Sequence, residues 1–195
     1  MEEVVLVDEE GHARGVTDKS AVHHQNTPLH LGFSCYLLND EDQLLLTRRA
    51  LDKKTWPGVW TNSCCGHPSP GELLVHGVRR RLRQELGIGT AEITLVLPGF
   101  RYRARMDNGV WENELCPVFR AYTDAKPAPD PAEVADTQWI AWSVFSEEVA
   151  SGERAVSPWC TLQVPQLAAL GPHPRQWPQG DAAALPAAAR FPGGS

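Results

Sequence analysis

The segment that most restricts this chain runs from Trp56 to Ile88, WPGVWTNSCCGHPSPGELLVHGVRRRLRQELGI. It opens inside a loop, Ala50 to Pro70, that is long for a compact domain, and such loops are often functional. It closes as a helix. Leu74, Val78, Leu82 and Leu86 recur every fourth residue, the period of one helical face. Gly87 is a suitable stop. Gly77, Arg81 and Glu85 make a neighbouring stripe, so a cation and an anion ride together beside the core-facing side. Arg79 and Arg83 read as solvated.

Around this unit the pattern is mostly strand. Residues 3–7 (EVVLV) predict a strand with a turn at Glu10–Gly11, followed by a polar link carrying His23, His24 and His30. Residues 31–38 and 43–48 flank Asn39–Asp42 as a hairpin. Residues 92–105 and 110–122 predict strands on either side of Asp107-Asn108-Gly109, a strong turn signal. A Pro/Ala-rich link over 123–131 leads to a strand at 134–142 and a helix at 143–151. Residues 155–170 are a weaker helix, interrupted at Pro165. After Gly171 the chain is rich in Pro, Ala and Gly, and poor order is expected. Strands with separate helices predict an α+β fold, an α/β/α sandwich with a mixed sheet.

The length of 195 residues suits one domain. No apolar run approaches the roughly 20 residues of a bilayer span. The acidic start, MEEVVLVDEE, lacks the features of a secretory signal, so a cytoplasmic location is expected. A net charge of -6 argues against nucleic-acid binding but not against a small anion held by a local basic patch. The five cysteines have no disulfide-like spacing and read as free thiols of a reducing compartment.

His23, His30, His67, Glu112 and Glu114 are metal candidates. Glu112 and Glu114 are two apart on a predicted strand and so face one side. Three imidazoles and two carboxylates would suit Mn, Fe or Zn. Equally, scattered histidines and a wet strand face would place the same residues in solvent. Cys65 is a proton carrier if a nearby cation tunes it, or a small buried apolar residue. Arg48, Arg49, Lys53, Lys54 and Arg81, with Lys19 further off, suit diphosphate oxygens. Most of the seven tryptophans read as core or lid residues, and an aromatic face beside a developing carbocation would stabilise it.

These segments resemble a known family. Gly66, Glu72, Arg80, Leu82, Glu85, Gly87 and Ile88 fall at the spacing of the Nudix box, with Arg81 and Gln84 at two positions that are acidic in that box. HHQNTPLH (23–30), TRRALDKKTWPGVWTNSCCGHP (47–68), RQELGI, FRYRA from Phe100, WENELCPVF from Trp111 and SPW from Ser157 together resemble type I isopentenyl diphosphate isomerases, a non-hydrolytic Nudix branch. The resemblance implies interconversion of isopentenyl and dimethylallyl diphosphate, with Cys65 and Glu114 as the catalytic pair and Tyr102 hydrogen-bonding near that glutamate. It implies a site for Mn2+ or Zn2+ made by His23, His30, His67, Glu112 and Glu114. A second site for Mg2+ would use Glu85, the Cys65 carbonyl and substrate diphosphate oxygens. Lys19, Arg49, Lys53 and Arg81 would contact the diphosphate, and Trp159 would cover the hydrocarbon.

The expected organisation is an N-terminal segment at 1–27 packed on the core, a Nudix-like catalytic domain at 28–170, and a tail at 171–195. The expected partner is a small diphosphate, with no nucleic acid and no membrane, in a monomer or weak homodimer. The rivals are a Nudix pyrophosphohydrolase of a nucleoside diphosphate derivative and a non-catalytic binding module. The missing acids at Arg81 and Gln84 weigh against the first.

Overall fold

Phe33–Leu38 is buried at every position. A strand buried on both faces must be covered on both, and that requirement organises the structure. The computed structural model describes residues 2–190. In chain order its first elements are β1 (Glu3–Val7), β2 (Ala13–Asp18), α1 (Lys19–Val22), β3 (His30–Leu31), β4 (Phe33–Leu38), β5 (Gln43–Arg49), β6 (Trp60–Thr61), β7 (Cys64–Gly66) and α2 (Leu74–Leu86). There follow β8 (Glu92–Leu97), β9 (Arg101–Arg105), β10 (Trp111–Leu115), β11 (Val118–Tyr122), β12 (Val134–Ala141), α3 (Trp142–Ser151), α4 (Pro158–Ala168) and α5 (Ala187–Arg190).

Two mixed sheets result. One runs β2-β1-β3-β10-β9, and the other β12-β5-β4-β11-β8, with β6 on β5 and β7 on β4. The odd residues of β4, Phe33, Cys35 and Leu37, join the α2 stripe of Leu74, Val78, Leu82 and Leu86 in one core. From its opposite face, Tyr36 packs with Trp142 and Phe145 of α3 and with Cys160, Val164 and Leu167 of α4. The second sheet is therefore the filling of an α/β/α sandwich. Gly87 ends α2 at φ 68°, donating to the carbonyls of Arg83 and Leu82.

The chain crosses between the two sheets three times, and the first and last crossings matter for the site. At Gly32 it passes from β3 to β4. At Cys116–Pro117 it passes from β10 to β11. The last crossing divides what reads as one strand over 110–122, because Pro117 has no N–H to continue the ladder. Pro98 and Gly99 divide 92–105 in the same way. The long loop at 50–70 is partly strand, since β6 and β7 fold back onto β5 and β4.

The segment after Gly171 departs from the expectation of poor order. Trp177 is fully buried, meets Trp142 edge-on at 4.9 Å, and donates through Nε1 to Gly171 O at 2.9 Å. The Gly180 N–H bonds Leu95 O on the edge strand β8, and the Ala188 N–H bonds Gly11 O. One indole and these edge hydrogen bonds offset the ordering entropy that the composition alone would not. Residues 191–195 of that tail lie outside the described residues.

Candidate active site

Alternation along β10 sends Glu112 and Glu114 to the buried side together. Glu114 is the parallel register partner of His30 on β3 and the antiparallel partner of Tyr102 on β9. Its Oε1 lies 3.0 Å from His67 Nε2 and 3.4 Å from His30 Nε2. Glu112 Oε2 stands 2.9 Å from His23 Nε2 without hydrogen-bond geometry. The three imidazole centroids are 5.2–5.7 Å apart. One donor atom from each of His23, His30, His67 and Glu114 falls within 4.8 Å of the others. Gly32 makes the approach possible: a Cβ there would collide with the Glu114 carboxylate.

The cluster has the character of a metal site. His23 Nε2, His30 Nε2 and Glu112 Oε2 are buried without hydrogen-bond partners, and buried polar atoms of this kind are rarely left unpaired in a protein. Nitrogen and oxygen donors converging in a buried pocket fit a divalent cation. Burial opposes ionisation of Glu114, but the His67 hydrogen bond and the facing His30 imidazole hold its carboxyl well below the ordinary range. Burial lowers His67, against the pull of Glu114.

Tyr102, Cys65, Trp159, Glu112, Glu114, His23 and His67 line one cavity of about 560 Å³. Tyr102 stands beside Glu114 across the strand pair, yet among the described residues no hydrogen bond joins them. Cys65 enters from β7, where it pairs in register with Ser34 of β4. Its Sγ lies 3.2 Å from Asn62 Oδ1 and 3.5 Å from Ser34 Oγ. Burial pushes the Cys65 thiol up to about 11, against hydrogen bonds and Arg49 that pull it down. It is a protonated thiol at neutral pH. Trp159 follows the Ser157 cap of α4, which is tied to β6 through Trp60 O and Thr61 Oγ1. Its ring is met edge-on by Trp56 at 5.5 Å and lies 5.8 Å from that of Tyr102.

Lys19, Arg49, Lys53, Lys54 and Arg81 line the same cavity. Arg49 grips Thr55 O through two nitrogens (2.9 and 3.0 Å), with its guanidinium 5.6 Å from the Trp159 centroid. Arg81 pairs with Glu85 at 2.7 Å and Glu133 at 2.9 Å, and Lys53 also bonds Glu133. Lys19 pairs with Glu2 at 2.5 Å. Burial pushes the Glu85 carboxyl up, with Arg81 opposing. Arg79, Arg83 and Gln84 are exposed. Glu2, Glu133, Asn62 and Ser34 are cavity residues that sequence reasoning missed. Glu2, Glu133 and Ser34 carry no motif and meet the site only through tertiary contacts, while Asn62 lies inside the 47–68 segment with no role read for it.

The loop bearing His67 is latched to α2. Arg80 bonds both Glu72 oxygens (2.9 and 2.7 Å) and His67 O at 3.1 Å. Arg80→Ala is expected to cost about 1–2 kcal/mol after solvent screening, measured by urea unfolding at pH 7. The Arg80 hydrogen bond holds Glu72 below its ordinary value of 4.5. Its contribution is therefore present above that value and lost as pH falls through the lower folded one. The gap between variant and parent should narrow over that acidic window.

The NUDIX domain family matches residues 28–160. An isopentenyl-diphosphate Delta-isomerase of Saccharopolyspora erythraea is 59% identical over 189 residues, 97% of each chain. The chain belongs to the isopentenyl-diphosphate Delta-isomerase family. Another relative of that name, from Rhizobium rhizogenes, is 52% identical over 97% of this chain and 91% of its own. This family member also superposes on a Deinococcus radiodurans crystal structure with a TM-score of 0.64 at 21% identity, covering 85% of this chain and 98% of that one. That likeness speaks for the fold alone. No helix among the described residues is long and apolar enough to cross a membrane.

Proposed function

We propose that this chain interconverts isopentenyl diphosphate and dimethylallyl diphosphate. The observation that carries the reading is one cavity lined by a thiol from β7 and a buried carboxylate from β10, with cations and aromatics completing its wall. The relatives at 59% and 52% identity bear the matching name. The helix supports isomerisation over hydrolysis. Gln84 is exposed, and Arg81 is engaged by Glu85 and Glu133, so Glu85 is left as the acid of the helix that faces the cavity.

The chemistry asks for a proton to be added at one carbon and another removed elsewhere. An unactivated alkene is a weak base, so its protonation needs a placed acid and a stabilised tertiary cation. Cys65 and Glu114 supply and accept the protons, from two sheets that flank the hydrocarbon. Tyr102 stands beside Glu114. Trp159 offers its π-face to the cation and excludes water, which would capture it. Lys19, Arg49, Lys53 and Arg81 hold the diphosphate, and its oxygens displace Glu2 and Glu133 from their cations. His23, His30, His67, Glu112 and Glu114 would hold Mn2+ or Zn2+, while Glu85 and the Cys65 carbonyl would hold Mg2+ with the diphosphate. Such ions would supply fixed positive charge against Glu114 and against the substrate oxygens.

Incubation of isopentenyl diphosphate with the protein and Mg2+ in deuterated water is expected to give deuterium-labelled dimethylallyl diphosphate. Release of phosphate or diphosphate without labelled allylic product would favour hydrolysis instead. Chelation is expected to abolish turnover and divalent cation to restore it. Full activity in a verified metal-free preparation would remove the metal from the account.

A further inference from the structure

Asn62, between β6 and β7, is fully buried in the cavity wall. Its amide nitrogen donates to Cys35 O (3.0 Å) and Cys64 O (2.9 Å). Backbone carbonyls only accept, so the carboxamide has one allowed orientation. That orientation sets Oδ1 between Trp159 Nε1 at 3.0 Å and Cys65 Sγ at 3.2 Å, with Thr61 Oγ1 at 2.9 Å. An indole nitrogen is a donor only, and Oδ1 has no proton to give. Both the indole and the thiol must therefore donate to the same oxygen.

Hydrogen bonds behind the thiol run in the same direction. Tyr36 O–H donates to Gln163 Oε1 at 2.9 Å, which turns Gln163 Nε2 onto Ser34 Oγ, also at 2.9 Å. The Ser34 hydroxyl proton is then free to face the sulfur of Cys65 or of Cys116. Trp159 is carried by α4 and Cys65 by β7, and nothing covalent fixes their separation. The shared acceptor does, because the indole nitrogen and the sulfur can part no further than two hydrogen-bond lengths.

We propose that Asn62 is a positioning residue that registers the reacting thiol against the covering indole through one oxygen. The inference rests on the isomerase reading above. Among the described residues no hydrogen bond joins the Asn62 side chain to the cavity's cations or to the histidine cluster, so its loss acts on the hydrocarbon end of the site. Without it the sulfur rotates and the indole drifts, while the diphosphate is still held.

The test measures isopentenyl diphosphate isomerisation by the full chain and by Asn62→Ala, Asn62→Ser, Trp159→Phe and the Asn62→Ala/Trp159→Phe double variant. Asn62→Ala and Asn62→Ser are expected to lower kcat about ten- to a hundredfold with KM within about threefold. The double variant should lose less than the product of the two single losses, because both singles break the same bond. In 1H–15N spectra the Trp159 indole signal, identified by its absence in Trp159→Phe, should shift in the Asn62 variants while those of Trp142 and Trp177 stay in place. Parent-level kcat in folded Asn62 variants, multiplicative losses, or an unmoved Trp159 signal would each overturn the proposal. Should the Asn62 variants fail to fold, the Trp159 indole signal of Cys65→Ala decides: a shift on loss of the thiol that shares the oxygen supports the proposal, and an unmoved signal overturns it. Parent protein that makes no dimethylallyl diphosphate would instead remove the isomerase reading itself.

Discussion

Cys65→Ala is expected to lower kcat for isopentenyl diphosphate by about 10²–10⁴-fold, the usual worth of a placed proton donor or acceptor. KM should change little. The thiol bonds Asn62 and Ser34, while the anion-binding groups are Lys19, Arg49, Lys53 and Arg81. The substitution removes one half-buried sulfur that faces a cavity at the margin of the α3–α4 core, so thermal stability should fall only slightly. Cys64 cannot take over. Neighbours on a strand face opposite ways, and its buried thiol lies 3.6 Å from Glu85 Oε1 in the other core. Burial also drives the Cys64 thiol far up. Steady-state kinetics with a thermal melt on the same preparation checks the expectation. Turnover near that of the parent would remove the thiol from the mechanism.

What could be read from the chain follows from where its signals are local. The α2 stripe is a period that four residues already declare, and each of them is buried in the structure. Glu112 and Glu114 share a face by alternation, which needs no tertiary knowledge. Their convergence with His23, His30 and His67 does, because it depends on the β3–β10 register and on the absence of a side chain at Gly32. Residue type alone made that set a candidate beside a solvent-exposed alternative, and the resemblance supplied the expectation that it converges. β2 was missed because its residues are mostly exposed on an edge and carry no alternation. α1 has four residues, too few for a periodic pattern. The tail misled through composition: a single tryptophan, Trp177, outweighs the surrounding Pro, Ala and Gly by filling a gap against Trp142. Asn62 illustrates the limit best. A polar residue in a Thr-Asn-Ser run reads as loop, and its importance lies in the five partners of its side chain, of which Cys35 and Trp159 are far from it in the chain.

Glu114→Gln should have a larger effect than the loss of the thiol, because two roles leave with one charge. The carboxamide keeps the shape that Gly32 admits, so steric disruption is small. It cannot take up or release a proton in the working range, which alone is worth about 10²–10⁴-fold in kcat. It also places a neutral oxygen, or an amide N–H, against His30 and His67, where a carboxylate stood. A divalent ion bound there loses an anionic ligand, and second losses of this kind multiply the first. Folding need not suffer in the metal-free protein, since a buried carboxylate is costly and its neutral isostere is not. The signature is therefore differential. Parent protein should melt at higher temperature with divalent cation than with chelator, because an ion that binds the folded state alone stabilises it. In Glu114→Gln that interval should shrink or vanish, metal content measured by elemental analysis should fall, and isomerisation should drop below that of Cys65→Ala. Retained turnover would exclude Glu114 as a proton carrier. A melting interval as wide as that of the parent would exclude it as a ligand.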